Sequence, residues 1–447
     1  MSKEIVNKKT AIKMLSRLGS EFVIVDNPSY INPNYDIFPL SKKLRDPLSK
    51  MIASVMDMDG TTTTTEVLCI HSLEFMIRKF SGFLTPQQWR GLDHEKDFPN
   101  VIGNSTTKHV EYLIKTYGKI INNDFVIQSF IQAAVWTLLF GKDEGRKREV
   151  IDNLSAFNLS SLHNEISLKL KDNLSISLNE FDSIIKKAQR KYSKLIVIRG
   201  ESDLVRIGID VYYQRYHEIL ERIRNGEAKQ ISNELNLEIG KHLIEPMPAI
   251  GVFLALVKGL LGKDASKFVD YLVQIKKKSS SKNIDKSKLE NHLALLGEHF
   301  QKYPMKVAIV TSSIKYEADI VLSEVFKVLT NEVDNWNISK SKKIKIKNHF
   351  TAFDKFYEAI ITATDSSEIR LKPHRDLYSL ALYRLSIPVK DFNKVIGFED
   401  SESGLIAMRA AGIGNCVAVP FAQTSGHNFQ AASIIAKNGV VDILTKS

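Results

Sequence analysis

Cysteine is nearly absent from this chain. Cys69 and Cys416 are the only two in 447 residues, and they stand far apart. That usage excludes a disulfide framework and suits a reducing compartment, so a cytoplasmic location is expected. Long apolar runs are missing too. No stretch approaches the roughly 18–20 apolar residues that a membrane span needs. The first 20 residues, MSKEIVNKKTAIKMLSRLGS, lack the apolar centre of a secretory signal. They fit a basic amphipathic helix, while Glu4 and the shortage of arginine speak against a transit peptide. No internal repeat is present. The histidines 71, 109, 242, 374 and 427 show no metal-ligand spacing and read as surface or packing residues.

What remains is ordinary globular material, 43% apolar and 25% charged, long enough for two or three domains. The net charge is +11, from 62 basic and 51 acidic residues. Two lysine clusters, KKKSSSKNIDKSK (276–288) and SKSKKIKIK (339–347), carry much of the excess. No nucleic-acid-binding motif or row of aromatics accompanies them. They are expected to be solvated loops, with neither nucleic acid nor a membrane as partner.

Short apolar runs bounded by polar residues predict buried parallel strands. These are MIASVM (51–56), VAIV (307–310), YEAIIT (357–362), KVIGF (394–398) and CVAVP (416–420). Helical segments such as RDLYSLALYRL (375–385) and SGLIAMRAAG (403–412) separate the later ones. This alternation predicts an α/β fold with a doubly wound parallel sheet. Between 66 and 245 helical periodicity takes over, IVIRG (196–200) being the main strand-like exception. The expected organisation is an N-terminal extension over 1–45 with a strand at FVIVD (22–26). An α/β core follows over 46–65 and 246–447, split by a helical domain over 66–245. Insertions near 262–300 and 334–350 enlarge the core, and the Ser/Lys-rich stretch 276–287 reads as a flexible connection.

The first core strand runs into Asp57-Met58-Asp59-Gly60-Thr61. Residues two apart on an extended segment project to one side, so Asp57 and Asp59 can converge on one point. Gly60 lets the chain turn sharply. The pair reads either as a catalytic site at a strand's carboxyl end or as an acidic turn. A calcium loop fits poorly, because Gly60 comes too early and no Glu closes the loop. Thr311-Ser312-Ser313 ends the second strand and could hold phosphate oxygens, as could Lys372 in LKPHRDLY. Glu399 and Asp400 then follow VIGF directly. Adjacent carboxylates at a strand end need a cation or hydrogen bonds to stay ionised, and Mg²⁺ would meet that need. Ser401 or Ser403 would alternatively cap the next helix.

In combination these four motifs resemble those of the haloacid dehalogenase-like hydrolases. The likeness is strongest to the branch holding β-phosphoglucomutase and phosphoglycolate phosphatase. It covers roughly 50–68 and 355–420, including TTEVL (64–68), FYEAIITATD (356–365) and GFEDSESGLIAMRAAGI (397–413). The helical region matches only in texture and is longer than that family's usual small cap. Thr62, Thr64, Thr65 and Arg375 depart from the pattern: Arg375 replaces a proline, and Thr62 replaces a leucine.

The resemblance implies a Rossmann-like core with a large helical cap and an Mg²⁺-dependent phosphatase acting on a small phosphorylated metabolite, a sugar or short acid phosphate. Asp57 would attack phosphorus and form an aspartyl-phosphate. Asp59 would act as acid and then base. Thr311, Ser312 and Lys372 would bind phosphoryl oxygens. Asp57, the Asp59 carbonyl, Glu399 and Asp400 would hold the metal. Asn104, Thr106 and Lys108, in VIGNSTTKH (101–109), are candidate substrate contacts; Ser105 or Thr106 would otherwise cap a helix. A β-phosphoglucomutase-like phosphomutase is the alternative reaction. A non-catalytic scaffold that binds a partner through the helical domain is the alternative class.

Overall fold

The computed structural model describes residues 4–27, 32–103, 105–172, 177–235, 242–277, 284–365, 370–421, 424 and 426–446. The chain forms two compact units. One comprises Met1–Thr64 with Ile244–Ser447, the other Thr65–Leu243.

The first unit is built on six parallel strands. Strands β1 (Phe22–Asp26) and β2 (Tyr35–Pro39) make a separate antiparallel hairpin. The six are β3 (Ala53–Asp57), β4 (Lys306–Val310), β5 (Ala359–Ile361), β6 (Val395–Glu399), β7 (Asn415–Ala418) and β8 (Ile434–Ile435), in the order β5-β4-β3-β6-β7-β8. Every residue of β3 and β6 is buried, which is why these strands read as continuous apolar runs rather than alternating ones. The chain winds outward from β3 through β4 and β5, then returns to the other side of β3 with β6. The strand order therefore reverses at β3, and such a reversal leaves a crevice beyond the carboxyl ends of the strands. Met56 pairs with Phe398, and Asp57 with Val310. That register brings the ends of three expected strands to one place.

The second unit is helical. Its longest helix, Glu201–Arg224, packs against Glu66–Ser81, Thr106–Tyr117 and Asn123–Phe140. IVIRG is not a strand. Residues 196–199 have no regular structure, and the Arg199 amide donates to Asp203 Oδ2 at 2.9 Å, at the start of the long helix. Among helices, a lone extended segment has no ladder to pair its backbone groups.

The second lysine cluster is also not a loop. It lies in the helix Lys340–Phe350, which Ser339 caps and which buries Ile346 and Phe350. Lys342 pairs with Asp264 at 2.6 Å and Lys347 with Asp334 at 2.6 Å. The first cluster spans the end of the helix Val269–Lys277 and the start of Lys286–Lys302; its centre, 278–283, lies outside the described residues. The N-terminal segment does form a helix, Lys8–Leu18, capped by Asn7. Among the described residues, no helix is long and apolar enough to cross a membrane.

Candidate active site

The DMDGT segment leaves β3 through a turn that its own hydroxyls tie down. Thr62 Oγ1 donates to the Asp57 carbonyl at 2.6 Å, and Thr63 Oγ1 to the Met58 carbonyl at 3.1 Å. Thr61, Thr62 and Thr63 are all buried. A buried hydroxyl must find a partner, so Thr62 does at this position what a leucine could not. Gly60 has φ +73°, and a Cβ there would lie 2.7 Å from Asp400 Oδ2. The turn therefore needs glycine both for its backbone and for room beside Asp400.

Around this turn the expected groups converge. One ligand atom from each of Asp57, Glu399 and Asp400 lies within 4.8 Å of the others, and all three residues are buried. Lys372 Nζ donates to Asp57 Oδ1 and, at 2.5 Å, to Glu399 Oε1. Glu399 is wholly shielded from solvent and also accepts from Tyr378 Oη at 2.8 Å, from the Ser401 amide at 3.1 Å and from Ser401 Oγ at 2.9 Å. Both of its oxygens are thus engaged. Asp400 accepts from Thr61 Oγ1 at 3.1 Å. Asp59 Oδ2 accepts from Thr311 Oγ1 and Ser313 Oγ, each at 3.1 Å.

Ser401 does two things at once. Its hydroxyl accepts from the Gly404 amide at 3.1 Å, capping the helix Glu402–Ala410, while donating to Glu399. GFEDSES thus supplies both a helix cap and hydrogen bonds to the Glu399 carboxylate. Ser312 is half-buried beside Thr311. In the helical unit, Ser105 caps Thr106–Tyr117, Thr106 Oγ1 and Tyr213 Oη are hydrogen-bonded at 3.1 Å, and Lys108 is exposed. Asn104 lies outside the described residues.

The charges in the core oppose one another. Burial pushes the Asp57 carboxyl well above the usual carboxylate range; Glu399, Asp400 and Asp59 push it further, and Lys372 pulls it down. Burial alone would lower the Lys372 ammonium, but the charges and hydrogen bonds of Asp57 and Glu399 outweigh it and hold the group above its ordinary value. Burial, with Glu399 beside it, also raises Tyr378. Three carboxylates against one ammonium leave a deficit of positive charge. A hard divalent cation with oxygen ligands fits that set, with Asp57 and Asp400 the better placed donors because Glu399 is already saturated.

Two contributions go beyond the sequence reading. Ser313, which the sequence offers with Thr311 and Ser312 as a strand end for phosphate oxygens, donates to Asp59 instead; its spacing from Thr311 puts the two hydroxyls on one side of an extended segment. Tyr378, buried on the helix Asp376–Arg384, carried no signal beyond its place in KPHRDLY.

The strand order and the residues gathered at the carboxyl ends of β3, β4 and β6 define the architecture. The core has a doubly wound α/β fold on a six-stranded parallel sheet.

No family model matches the chain, and no curated protein matches it. Solved structures similar to it include CbbY from Rhodobacter sphaeroides in complex with phosphate, at 12% identity and TM-score 0.37, covering 86% of this chain and 93% of that one. A putative β-phosphoglucomutase from Thermotoga maritima is similar at 16% identity and TM-score 0.31, covering 88% and 96%. A putative phosphoglycolate phosphatase from Lactobacillus delbrueckii subsp. bulgaricus is similar at 14% identity and TM-score 0.31, covering 86% and 94%. Superposition this loose carries no function from those proteins to this one.

Proposed function

We propose that the chain is an Mg²⁺-dependent phosphatase that hydrolyses a small phosphorylated metabolite, with Asp57 as nucleophile. The observation that carries this reading is Lys372 bonded to both Asp57 and Glu399 beside Asp400. Burying three carboxylates around one lysine is costly for stability. A scaffold would have no use for that cost, whereas a phosphoryl-transfer site needs each of these groups.

In this reading Asp57 Oδ attacks the phosphorus in line, the bond to the leaving oxygen breaks, and an aspartyl-phosphate forms. Asp59 gives its proton to the leaving oxygen, then takes one from the water that cleaves the acyl phosphate. Thr311 and Ser313 hold the Asp59 carboxyl in place for both steps. Lys372 moves its hydrogen bonds toward phosphoryl oxygens as charge spreads over them. Glu399, fixed by Tyr378 and Ser401, keeps the ammonium in position. Mg²⁺, held by Asp57, the Asp59 carbonyl and Asp400, would supply charge neutralisation and keep Asp57 ionised. Thr106 and Lys108 remain candidates for substrate contacts from the helical unit.

The test is phosphate release from a panel of sugar and short acid phosphates with and without Mg²⁺. Release that requires Mg²⁺ and vanishes in Asp57→Asn supports the reading. No release from any member, or full turnover by Asp57→Asn, overturns it. Isomerised sugar phosphate without net release would make the protein a phosphomutase.

A further inference from the structure

The N-terminal extension has no counterpart among the four motifs, yet the hairpin β1–β2 lies against two of them. Val25, Phe38 and Leu40 pack with Ala410 and Ile406 of the helix Glu402–Ala410, the helix that begins just after Glu399 and Asp400. Arg409 of that helix is fully buried. It donates to the Ser41 carbonyl at 3.1 Å and to Glu21 at 3.0 and 2.8 Å.

The second contact is with the lysine loop. Phe38 is buried at the end of β2. The His374 ring meets it edge-on, with centroids 5.6 Å apart at 88°. The Arg370 and Arg375 guanidiniums lie over the same ring, 5.7 and 5.8 Å from its centre. Arg370 also donates to Asp36 Oδ2 at 3.2 Å and to Asp376 Oδ2 at 3.1 Å. One aromatic ring therefore supports residues on both sides of Lys372. Arg375, where the resembling family has proline, is one of them.

A lysine on a long flexible stem makes a precise contact only if its backbone is fixed. Inside the site Glu399 fixes the ammonium end; outside it Phe38 and Asp36 fix the loop. We propose that Phe38, with Asp36 in support, is a positioning residue that sets Lys372 for phosphoryl transfer. The inference rests on the role given to Lys372 above.

The experiment measures kcat and KM for p-nitrophenyl phosphate with Mg²⁺ in Phe38→Ala, Phe38→Tyr, Asp36→Asn and Lys372→Ala, and in the double variant Phe38→Ala/Lys372→Ala. Phe38→Ala is expected to lower kcat about tenfold with little change in KM, since a misplacement well under 1 Å is enough for that. Phe38→Tyr keeps the ring and restores kcat. In the Lys372→Ala background Phe38→Ala has no further effect. Amide exchange at residues 370–376 quickens in Phe38→Ala, a readout independent of turnover. Wild-type kcat and unchanged exchange in Phe38→Ala would overturn the proposal, as would a full additional loss in the Lys372→Ala background. If Phe38→Ala does not fold, Asp36→Asn decides by exchange at Arg370, faster exchange supporting the proposal and unchanged exchange overturning it. Undiminished turnover by Lys372→Ala would instead refute the role of the lysine, which is a separate failure.

Discussion

Glu399 and Gly404 are in such close contact that a Cβ on the glycine would sit 1.7 Å from Glu399 Oε1. The carboxylate rests on the first turn of the helix Glu402–Ala410, where the peptide dipoles favour a negative charge. Gly404→Ala would improve helix propensity by about 1 kcal/mol, but it must expel Glu399 and with it the partner of Lys372. Turnover of p-nitrophenyl phosphate by Gly404→Ala is expected to fall about 10²-fold, the loss typical of a displaced catalytic group.

Tyr378→Phe removes one of four hydrogen bonds to Glu399 and leaves the packing intact. Thermal melting should show a loss of about 1 kcal/mol. Turnover should fall by less than in Gly404→Ala, because Lys372 and Ser401 still hold the carboxylate.

Asp57 is raised by burial and by its acidic neighbours, so a proton and a cation compete for it. Apparent Mg²⁺ affinity should tighten as pH rises, with proton release on binding that calorimetry in two buffers reports. The linkage has a definite sign. A carboxyl raised in the fold contributes stability below its unfolded pKa of about 4, and that stability is lost as pH rises through the folded value. Metal-free protein should therefore melt lower as pH rises. Asp57→Asn should melt higher than wild type at neutral pH without metal, since Lys372 keeps Glu399 as partner.

Glu332 offers the same physics away from the site. Burial, with Glu245 beside it, raises its carboxyl to about 7. Its contribution is present below the unfolded value and lost as pH rises through about 7. Glu332→Gln should raise the melting temperature by about 2–4 °C at pH 8 and change it little at pH 5.

The strands of the sheet were legible because burial on both faces leaves them as apolar runs that end in polar motifs. The ends of β3 and β6 announced Asp57, Asp59, Glu399 and Asp400 in this way. The partners of Ser313 and Tyr378 were not legible, because a hydroxyl's partner depends on which strand register or helix phase brings it near. The helix Lys340–Phe350 was misread because lysine density hid the Ile346–Phe350 spacing that buries one face. IVIRG shows the reverse error: β-branched residues favour extension, but a strand also needs a neighbour to pair with. The place of Phe38 could not be read at all, since its partners lie more than 300 residues away in sequence.

The central claim is that Asp57 carries the phosphoryl group. The most direct measurement is mass spectrometry of protein quenched in acid during turnover of p-nitrophenyl phosphate with Mg²⁺. The account predicts one phosphoryl group on the peptide containing Asp57, none in Asp57→Asn, and a loss of at least about 10³-fold in turnover by that variant. An unmodified Asp57 peptide together with undiminished turnover by Asp57→Asn would contradict it.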